Sequence, residues 1–474
     1  MEKKEKIKMP IRAKPYEHQE KAFEFGLDVF ECGKALAYLM EMGTGKTLTT
    51  IALAGELSNR KDVSKLLIVA PKSIVSVWKQ EFEKFADFDY NLCILSSAVS
   101  KKDEVLANMC GDNLQIVVVN YESAWRIEKE LTEWNPDMIV CDESTKIKNP
   151  QAKASKCMHK LGKDSKYNVI LTGTPIVGSP MDFFSQYKFL DRKIFGDSFY
   201  LYRAKYAILG GYGNHQIIGY NNLAELTERA HKIAHRVKLK DAVDLPSFID
   251  ETRLIELEPK ALRSYKSIEL DSFAEIANGE VTAKNILTKL LRLSQITGGF
   301  IRDDGGEAIC ISTAKLEALE EIVETCIGEN KKVVVFARFL PEIKAIEKML
   351  KKKGIDYAII YGEINHREEQ VDKFQNEINC KVFIGQLQTV GMGLTLTAGC
   401  VAIYYSLDFN YANYEQSRAR IHRIGQKEKC LYIHLVAKDT VDEQIMNALQ
   451  QKKSIADLLV DNWRDILRGG NGEI

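Results

Sequence analysis

The sequence predicts an α/β protein built as two doubly wound parallel-sheet lobes with helical insertions between them. Three observations predict it. Short apolar runs bounded by polar or small residues alternate with amphipathic helical patterns over residues 35–171, and again over 333–405. A glycine-rich turn, Met42-Gly43-Thr44-Gly45-Lys46-Thr47, separates the first such run from a helix start. From about residue 180 to 310 the alternation stops, and aromatic and basic helical segments replace it. The expected boundaries are a flexible N-terminus over 1–15, a first lobe over 16–180, a helical insertion or linker over 181–310, a second lobe over 311–447 and a helical tail over 448–474.

A chain of 474 residues is too long for one core, which agrees with two lobes. No apolar run approaches the roughly 18 residues of a membrane span, and the lysine-rich start lacks the apolar core of a signal peptide. No membrane contact is expected. The ten cysteines are scattered without a Cys-x-x-Cys pair, and several, such as Cys141 and Cys400, lie in apolar runs. That pattern suits buried thiols in a reducing compartment better than zinc sites or disulfides. Lys and Arg total 66, as do Asp and Glu, so a polyanion would have to be met by a local basic face.

Taken in order, Tyr16-Glu17-His18-Gln19 opens an amphipathic helix through Phe23, Phe25 and Leu27. The Gln19 amide carries a donor and an acceptor that could read an adenine edge, and a plain surface glutamine is the alternative. The strand run Ala35–Met40 then leads into the glycine turn, and Leu48–Leu53 continues as helix. Glycines in such a turn let backbone N–H groups approach phosphate oxygens, and the helix N-terminus adds positive potential. Lys46 is placed to reach the β- and γ-phosphates and the Thr47 hydroxyl to ligate Mg²⁺. Met40 occupies the position of the first glycine in the longer form of this loop.

Leu66–Ala70 and Ile116–Val119 read as buried parallel strands with polar carboxyl ends, Pro71-Lys72-Ser73 and Asn120-Tyr121-Glu122-Ser123. That edge is where open α/β sheets bind ligands. Trp78 falls on a core stripe with Val77, Phe82 and Phe85, and packing is the expected role. Met138–Cys141 delivers Asp142-Glu143-Ser144-Thr145 at its carboxyl end. Downstream of a phosphate loop, such a pair suits ATP or GTP hydrolysis, Asp142 holding Mg²⁺ and Glu143 polarising water. Asn168–Leu171 ends in Thr172-Gly173-Thr174-Pro175, which could sense the γ-phosphate.

The second alternation comprises Val333–Phe336, Tyr357–Ile360, Lys381–Ile384 and Val401–Tyr405, with no phosphate loop. Its carboxyl-end loops hold Thr389-Val390-Gly391-Met392-Gly393 and Ser406-Leu407-Asp408. Gln416–Gln426 follows, in which Arg420 and Arg423 stand three apart and would share a helical face. They are candidate arginine fingers, and a solvated basic helix is the alternative.

These motifs resemble the Swi/Snf-type helicase-like DNA translocase ATPases of superfamily two. The resemblance runs from about Tyr16 to about Met446. It is carried by Glu41–Thr47, Asp142-Glu143-Ser144, Leu171–Pro175, Gln416–Gln426 and Leu435–Glu443. Lesser matches are Trp78 with Glu81-Phe82, Phe195-Gly196, Arg236 with Lys238 before Leu245-Pro246, and Gly362 with Arg367 before Phe374. The chain departs from the family pattern at Met40, Thr145, Val177-Gly178 and Val390, none of which removes a catalytic group.

The resemblance implies two RecA-like lobes and ATP-driven tracking along double-stranded DNA, with remodelling or displacement of a DNA-bound protein. It implies that Gln19 reads adenine and that Met42 to Thr47, together with Gly393, line the nucleotide. It implies that Thr47 and Asp142 hold Mg²⁺, that Glu143 positions water and that Arg420 and Arg423 complete catalysis with Lys46. DNA phosphates would lie near Lys72, Ser73, Tyr121, Arg338 and Thr389. A monomer is expected, in the cytoplasm of a bacterial or phage-infected cell rather than a nucleus, because no histone-reading or zinc module is present in the sequence. A strand-separating helicase and an ATP-switched DNA clamp are the alternatives.

Overall fold

Runs that are apolar on both faces of an extended chain can be hidden only in a sheet covered on both sides. The computed structural model meets that demand twice. It describes residues 7–95, 102–173, 175–176, 179–210, 216–242, 245–277, 283–302, 305–362, 366–390, 394–407 and 410–450. The chain divides into two units, Met1–Asp244 and Leu245–Ile474.

The first unit carries strands β1 (Ala35–Met40), β2 (Lys65–Ala70), β3 (Tyr90–Leu95), β4 (Leu114–Asn120), β5 (Met138–Asp142), β6 (Tyr167–Leu171), β7 (Ala207–Gly210), β8 (Gln216–Tyr220) and β9 (Ala234–Val237). Seven form one sheet in the order β3-β4-β2-β5-β6-β1-β9, parallel throughout. β7 and β8 make a separate antiparallel hairpin. The register sets Asp142 beside Leu171 and Leu171 beside Tyr38, so the carboxyl ends of β5, β6 and β1 share one edge. Helix α1 (Glu17–Cys32) lies close against β1 because Gly26 has no side chain; a Cβ there would stand 2.5 Å from the Tyr38 hydroxyl. That hydroxyl donates to the Ala22 carbonyl at 2.9 Å and fixes the helix on the strand.

The second unit carries β10 (Phe248–Ile255), β11 (Phe300–Arg302), β12 (Ala308–Cys310), β13 (Val333–Ala337), β14 (Tyr357–Ile360), β15 (Val382–Gln386), β16 (Val401–Tyr404) and β17 (Cys430–Ala437). Its six-stranded sheet, β10-β17-β16-β13-β15-β14, is again parallel throughout, and β11 and β12 form an antiparallel pair. Cys141 and Cys400 are buried in the two units, as their apolar settings suggest.

Three sequence expectations need correction. Residues 181–310 are not a separate helical element, because the unit boundary falls inside them at Asp244/Leu245. Phe183, Phe184, Tyr187, Tyr202 and Tyr206 join the first core, β9 extends the first sheet and β10 the second. The start of the chain is anchored rather than flexible over the residues described: Met9 and Ile11 are buried, and Arg12 N–H donates to the Phe85 carbonyl at 2.9 Å. The helix Val441–Gln450 crosses the expected boundary at 447, and the expected helical tail beyond residue 450 lies outside the described residues.

The second core contains one deeply buried ion pair. Lys315 Nζ meets Asp442 Oδ2 at 2.6 Å, with side chains 2% and 9% exposed. The Tyr405 carbonyl and Thr297 hydroxyl complete the set. Removing one partner strands the other charge away from water. Asp442→Ala is therefore expected to cost about 3–5 kcal/mol in denaturant unfolding, and adding Lys315→Met to recover part of it. Equal stability of Asp442→Ala and the wild type would contradict this reading.

Candidate active site

The chain leaves β1 at Met40 and turns through Gly43 (φ +81°) and Gly45 (φ +86°) into helix α2 (Lys46–Asn59). Both glycines take the left-handed conformation that side chains disfavour. At Gly45 there is also no room, since a Cβ would sit 2.1 Å from Gln19 Nε2. Thr44, fully buried, donates its hydroxyl to the Glu41 carbonyl at 2.7 Å. Its own carbonyl accepts from His18 Nε2 at 2.8 Å and Gln19 Nε2 at 3.2 Å. Lys46 Nζ donates to the Met40 carbonyl at 2.9 Å, which folds the ammonium back over the turn. Met42 and Thr47 are partly buried within the same loop.

Gln19 is thus no surface glutamine. It is 4% exposed, and its Oε1 accepts the Tyr16 N–H at 3.0 Å while its Nε2 holds Thr44. A primary amide has two acceptor lone pairs and two N–H donors, so one of each remains for a base edge.

Across the sheet edge, Asp142 ends β5 with 7% exposure. Its Oδ2 accepts from the Trp78 indole Nε1 at 3.0 Å, its Oδ1 from the Glu143 N–H at 2.9 Å, and its carbonyl from the Tyr121 hydroxyl at 2.8 Å. Burial, reinforced by the Glu143 charge, pushes the Asp142 carboxyl up to about 7, while the Lys46 ammonium and the indole N–H pull it back. Glu143 sits at φ +49°, ψ +57°, a conformation that costs a non-glycine residue on the order of 1–3 kcal/mol. The residues fit Mg²⁺: Asp142 and Thr47 offer hard oxygen donors, and the buried acidic pair has a deficit of positive charge that a cation offsets.

Ser144 donates to Gln186 Oε1 at 2.6 Å, and Gln186 Nε2 donates to the Pro175 and Asp182 carbonyls, each at 2.8 Å. One buried amide therefore ties the acidic motif to Pro175. Sequence reasoning missed Gln186, whose only signal is an amide inside the aromatic run Phe183–Tyr187. It also gave Trp78 a packing role alone. Trp78 does pack, 1% exposed on helix α3 (Val75–Phe85), but it orients the candidate metal ligand as well.

In the second unit the helix Tyr411–Arg418 stops before the two candidate fingers, so Arg420 and Arg423 do not share a helical face. They lie in the turn that follows, which Gly425 (φ +103°) closes. They converge all the same: Arg420 Nη1 and Arg423 Nη1 both donate to the Leu394 carbonyl, at 3.1 and 3.4 Å. Arg423 also holds the Thr395 hydroxyl at 2.9 Å. Gly393 and Thr174 lie outside the described residues.

The candidate DNA contacts divide. Lys72 is exposed at the carboxyl end of β2, and Ser73 follows in the same turn. Tyr121 is 2% exposed, and its hydroxyl is committed to the Asp142 carbonyl, so it braces the candidate metal ligand instead of facing solvent as expected. Arg338 follows β13 and Thr389 follows β15, both partly buried. Gln386 joins their loops, accepting from Thr389 Oγ1 and Gly362 N–H and donating to the Arg338 carbonyl, each at 3.2 Å. Glu342, whose carboxyl burial pushes up to about 7, accepts from the Ser406 hydroxyl at 2.6 Å and from the Arg338 N–H at 3.2 Å.

A phosphate loop on a parallel sheet, with an acidic pair ending a neighbouring strand, defines a nucleotide-hydrolysing α/β enzyme. Residues 18–298 match the SNF2-related domain and 314–425 the helicase conserved C-terminal domain. The chain belongs to the SNF2-related, helicase-like family of ATP-dependent enzymes. It is 28% identical over 441 residues to an uncharacterized ATP-dependent helicase of Mycoplasma pneumoniae, covering 91% of this chain and 40% of that protein. It is 25% identical over 473 residues to a putative ATP-dependent helicase/translocase, YwqA, of Bacillus subtilis, covering 95% and 49%. The chain spans 39–52% of the length of the first curated relatives it matches. The Sulfolobus solfataricus SWI2/SNF2 ATPase core in complex with dsDNA aligns at 26% identity and a TM-score of 0.47, over 98% of this chain and 97% of that one.

Two outcomes are expected at this site. Trp78→Phe keeps the packing but removes the indole donor, and should lower ATP turnover about 10-fold or more with the thermal midpoint little changed. Unchanged turnover would reduce Trp78 to a packing residue. Glu143→Gln should bind ATP yet fail to hydrolyse it, as phosphate release against nucleotide binding would show. Persistent turnover would remove Glu143 from the water-positioning role.

Proposed function

We propose that the chain is a DNA-stimulated ATPase that moves along double-stranded DNA and displaces or remodels a protein bound there. The observation that carries the reading is a pairing of parts: an assembled phosphate-loop site in one parallel-sheet unit, and two convergent arginines in a second unit that has no phosphate loop. A second unit of that kind is suited to supplying transition-state charge and a separate grip on the track.

The steps follow from the side chains. Backbone N–H groups of the glycine turn and the Lys46 ammonium bind the β- and γ-phosphates, while the remaining amide groups of Gln19 take the adenine edge. Thr47 and Asp142 would hold Mg²⁺, which neutralises phosphate charge when bound. Glu143 orients the attacking water, with Asp142 kept in place by Trp78 and Tyr121. Arg420 and Arg423 exchange the Leu394 carbonyl for the γ-phosphate as the units close, and hydrolysis lets them part.

Lys72, Arg338 and Thr389 follow parallel strands at their carboxyl ends, which favours contact with DNA phosphates from both units. The names of relatives, a putative helicase/translocase in Bacillus subtilis and a chromodomain-helicase-DNA-binding protein in Danio rerio, agree with a nucleic-acid track. With Lys+Arg equal to Asp+Glu over the whole chain, binding to that track should be modest and should weaken with salt.

Arg420→Ala is expected to bind nucleotide normally and to lose roughly 10³-fold or more in turnover, the scale of an absent arginine finger. Near-full turnover would sink the closure model. Hydrolysis should also rise with duplex length until end effects vanish, and a labelled strand should not be released. Strand release would favour a strand-separating helicase, and hydrolysis indifferent to length a stationary clamp.

A further inference from the structure

Arg236 takes no part in the steps above, yet its guanidinium makes three bonds beside the phosphate loop. It lies on β9, the edge strand beside β1. Its Nη1 donates to the Leu39 carbonyl at 3.1 Å and to the Gly173 carbonyl at 2.8 Å, and its Nη2 meets Glu41 Oε1 at 3.1 Å. The second Glu41 oxygen accepts the Leu239 N–H at 3.0 Å. One planar fork therefore holds two pieces of chain, the entry to the phosphate loop and the Thr172–Gly173 turn, and Glu41 carries the link on to the segment that follows β9.

The seam it closes is narrow. A Cβ on Gly173 would stand 3.3 Å from Glu41 Cα and the Met40 carbonyl, and 3.4 Å from Met42 N. A shift of the phosphate loop against the Thr172–Gly173 turn therefore has to move Arg236 or break its bonds to one of them. Arg236 and Leu239 also stand only a few residues before the chain passes into the second unit at Leu245. The pair is too exposed for a stability role of any size, since the Arg236 and Glu41 side chains are 32% and 37% accessible.

We propose that Arg236 is a positioning residue that couples the nucleotide state of the phosphate loop to the segment leading into the second unit. It acts through Glu41 and Gly173 and touches no substrate. This rests on the duplex-tracking reading and deepens it, because the coupling is what would let DNA engagement change hydrolysis. Lysine offers one point charge and cannot reproduce a fork that meets a carboxylate and two carbonyls at once.

The test compares the wild type with Arg236→Gln, Arg236→Lys and Glu41→Gln. It measures affinity for a non-hydrolysable ATP analogue, turnover with and without duplex DNA, and the thermal midpoint. Arg236→Gln is expected to hold nucleotide affinity within about 2-fold and to lower the ratio of DNA-stimulated to basal turnover at least about 5-fold, with Arg236→Lys and Glu41→Gln between it and the wild type. These sizes correspond to losing part of a coupling free energy, not the site itself. A general structural role would lower both turnovers together and leave the ratio intact, and that result would overturn the proposal. An unstimulated wild type would overturn the duplex-tracking reading and this role with it. A stimulated wild type matched by an equally stimulated Arg236→Gln would overturn the role alone.

Discussion

The rest of the first unit depends on keeping one carboxylate charged where water is scarce. Asp142 ends a fully buried strand, and burial next to Glu143 raises its proton affinity far above that of a solvated aspartate. The surroundings answer that cost with an indole N–H on one oxygen, a backbone N–H on the other and Lys46 nearby, and a tyrosine hydroxyl holds the main-chain carbonyl of the same residue. Each of those groups comes from a different stretch of chain. Helix α3, the turn after β5 and the start of α2 all send a group to this one side chain, and the carboxyl end of β4 sends one to its backbone.

The same economy recurs in the shared carbonyls and amides. The Thr44 carbonyl brings His18 and Gln19 onto the phosphate loop, Gln186 ties the acidic motif to Pro175, and the Leu394 carbonyl gathers Arg420 and Arg423. Gln386 does likewise for three strand-end loops of the second unit. Buried polar groups that must be satisfied become the ties between motifs. Movement in one motif is then felt in the next, which a machine driven by nucleotide turnover requires.

Central strands were legible because nothing but a buried sheet tolerates runs such as Ala35–Met40, whose bounds agree with the run read from sequence. Edge strands were not. β3 and β9 mix polar with apolar residues, since one side of each meets solvent, and β10 is largely exposed along its length. The phosphate loop and acidic pair were legible because their chemistry constrains residue type and spacing together. Local pattern could not decide what tertiary contact decides: that Gln19 is buried on Thr44, that Tyr121 turns inward to Asp142, or that Trp78 both packs and donates. The spacing of Arg420 and Arg423 suggested a helix, whereas the helix had already ended and a turn brought them together.

The central claim is that hydrolysis answers to a duplex DNA track. Steady-state ATP hydrolysis tests it most directly, measured without nucleic acid and with single-stranded DNA, duplex DNA or duplex RNA at one fixed salt concentration. The account predicts stimulation chiefly by duplex DNA. Stimulation chiefly by single strands or by RNA, or none by any of the three, would contradict it.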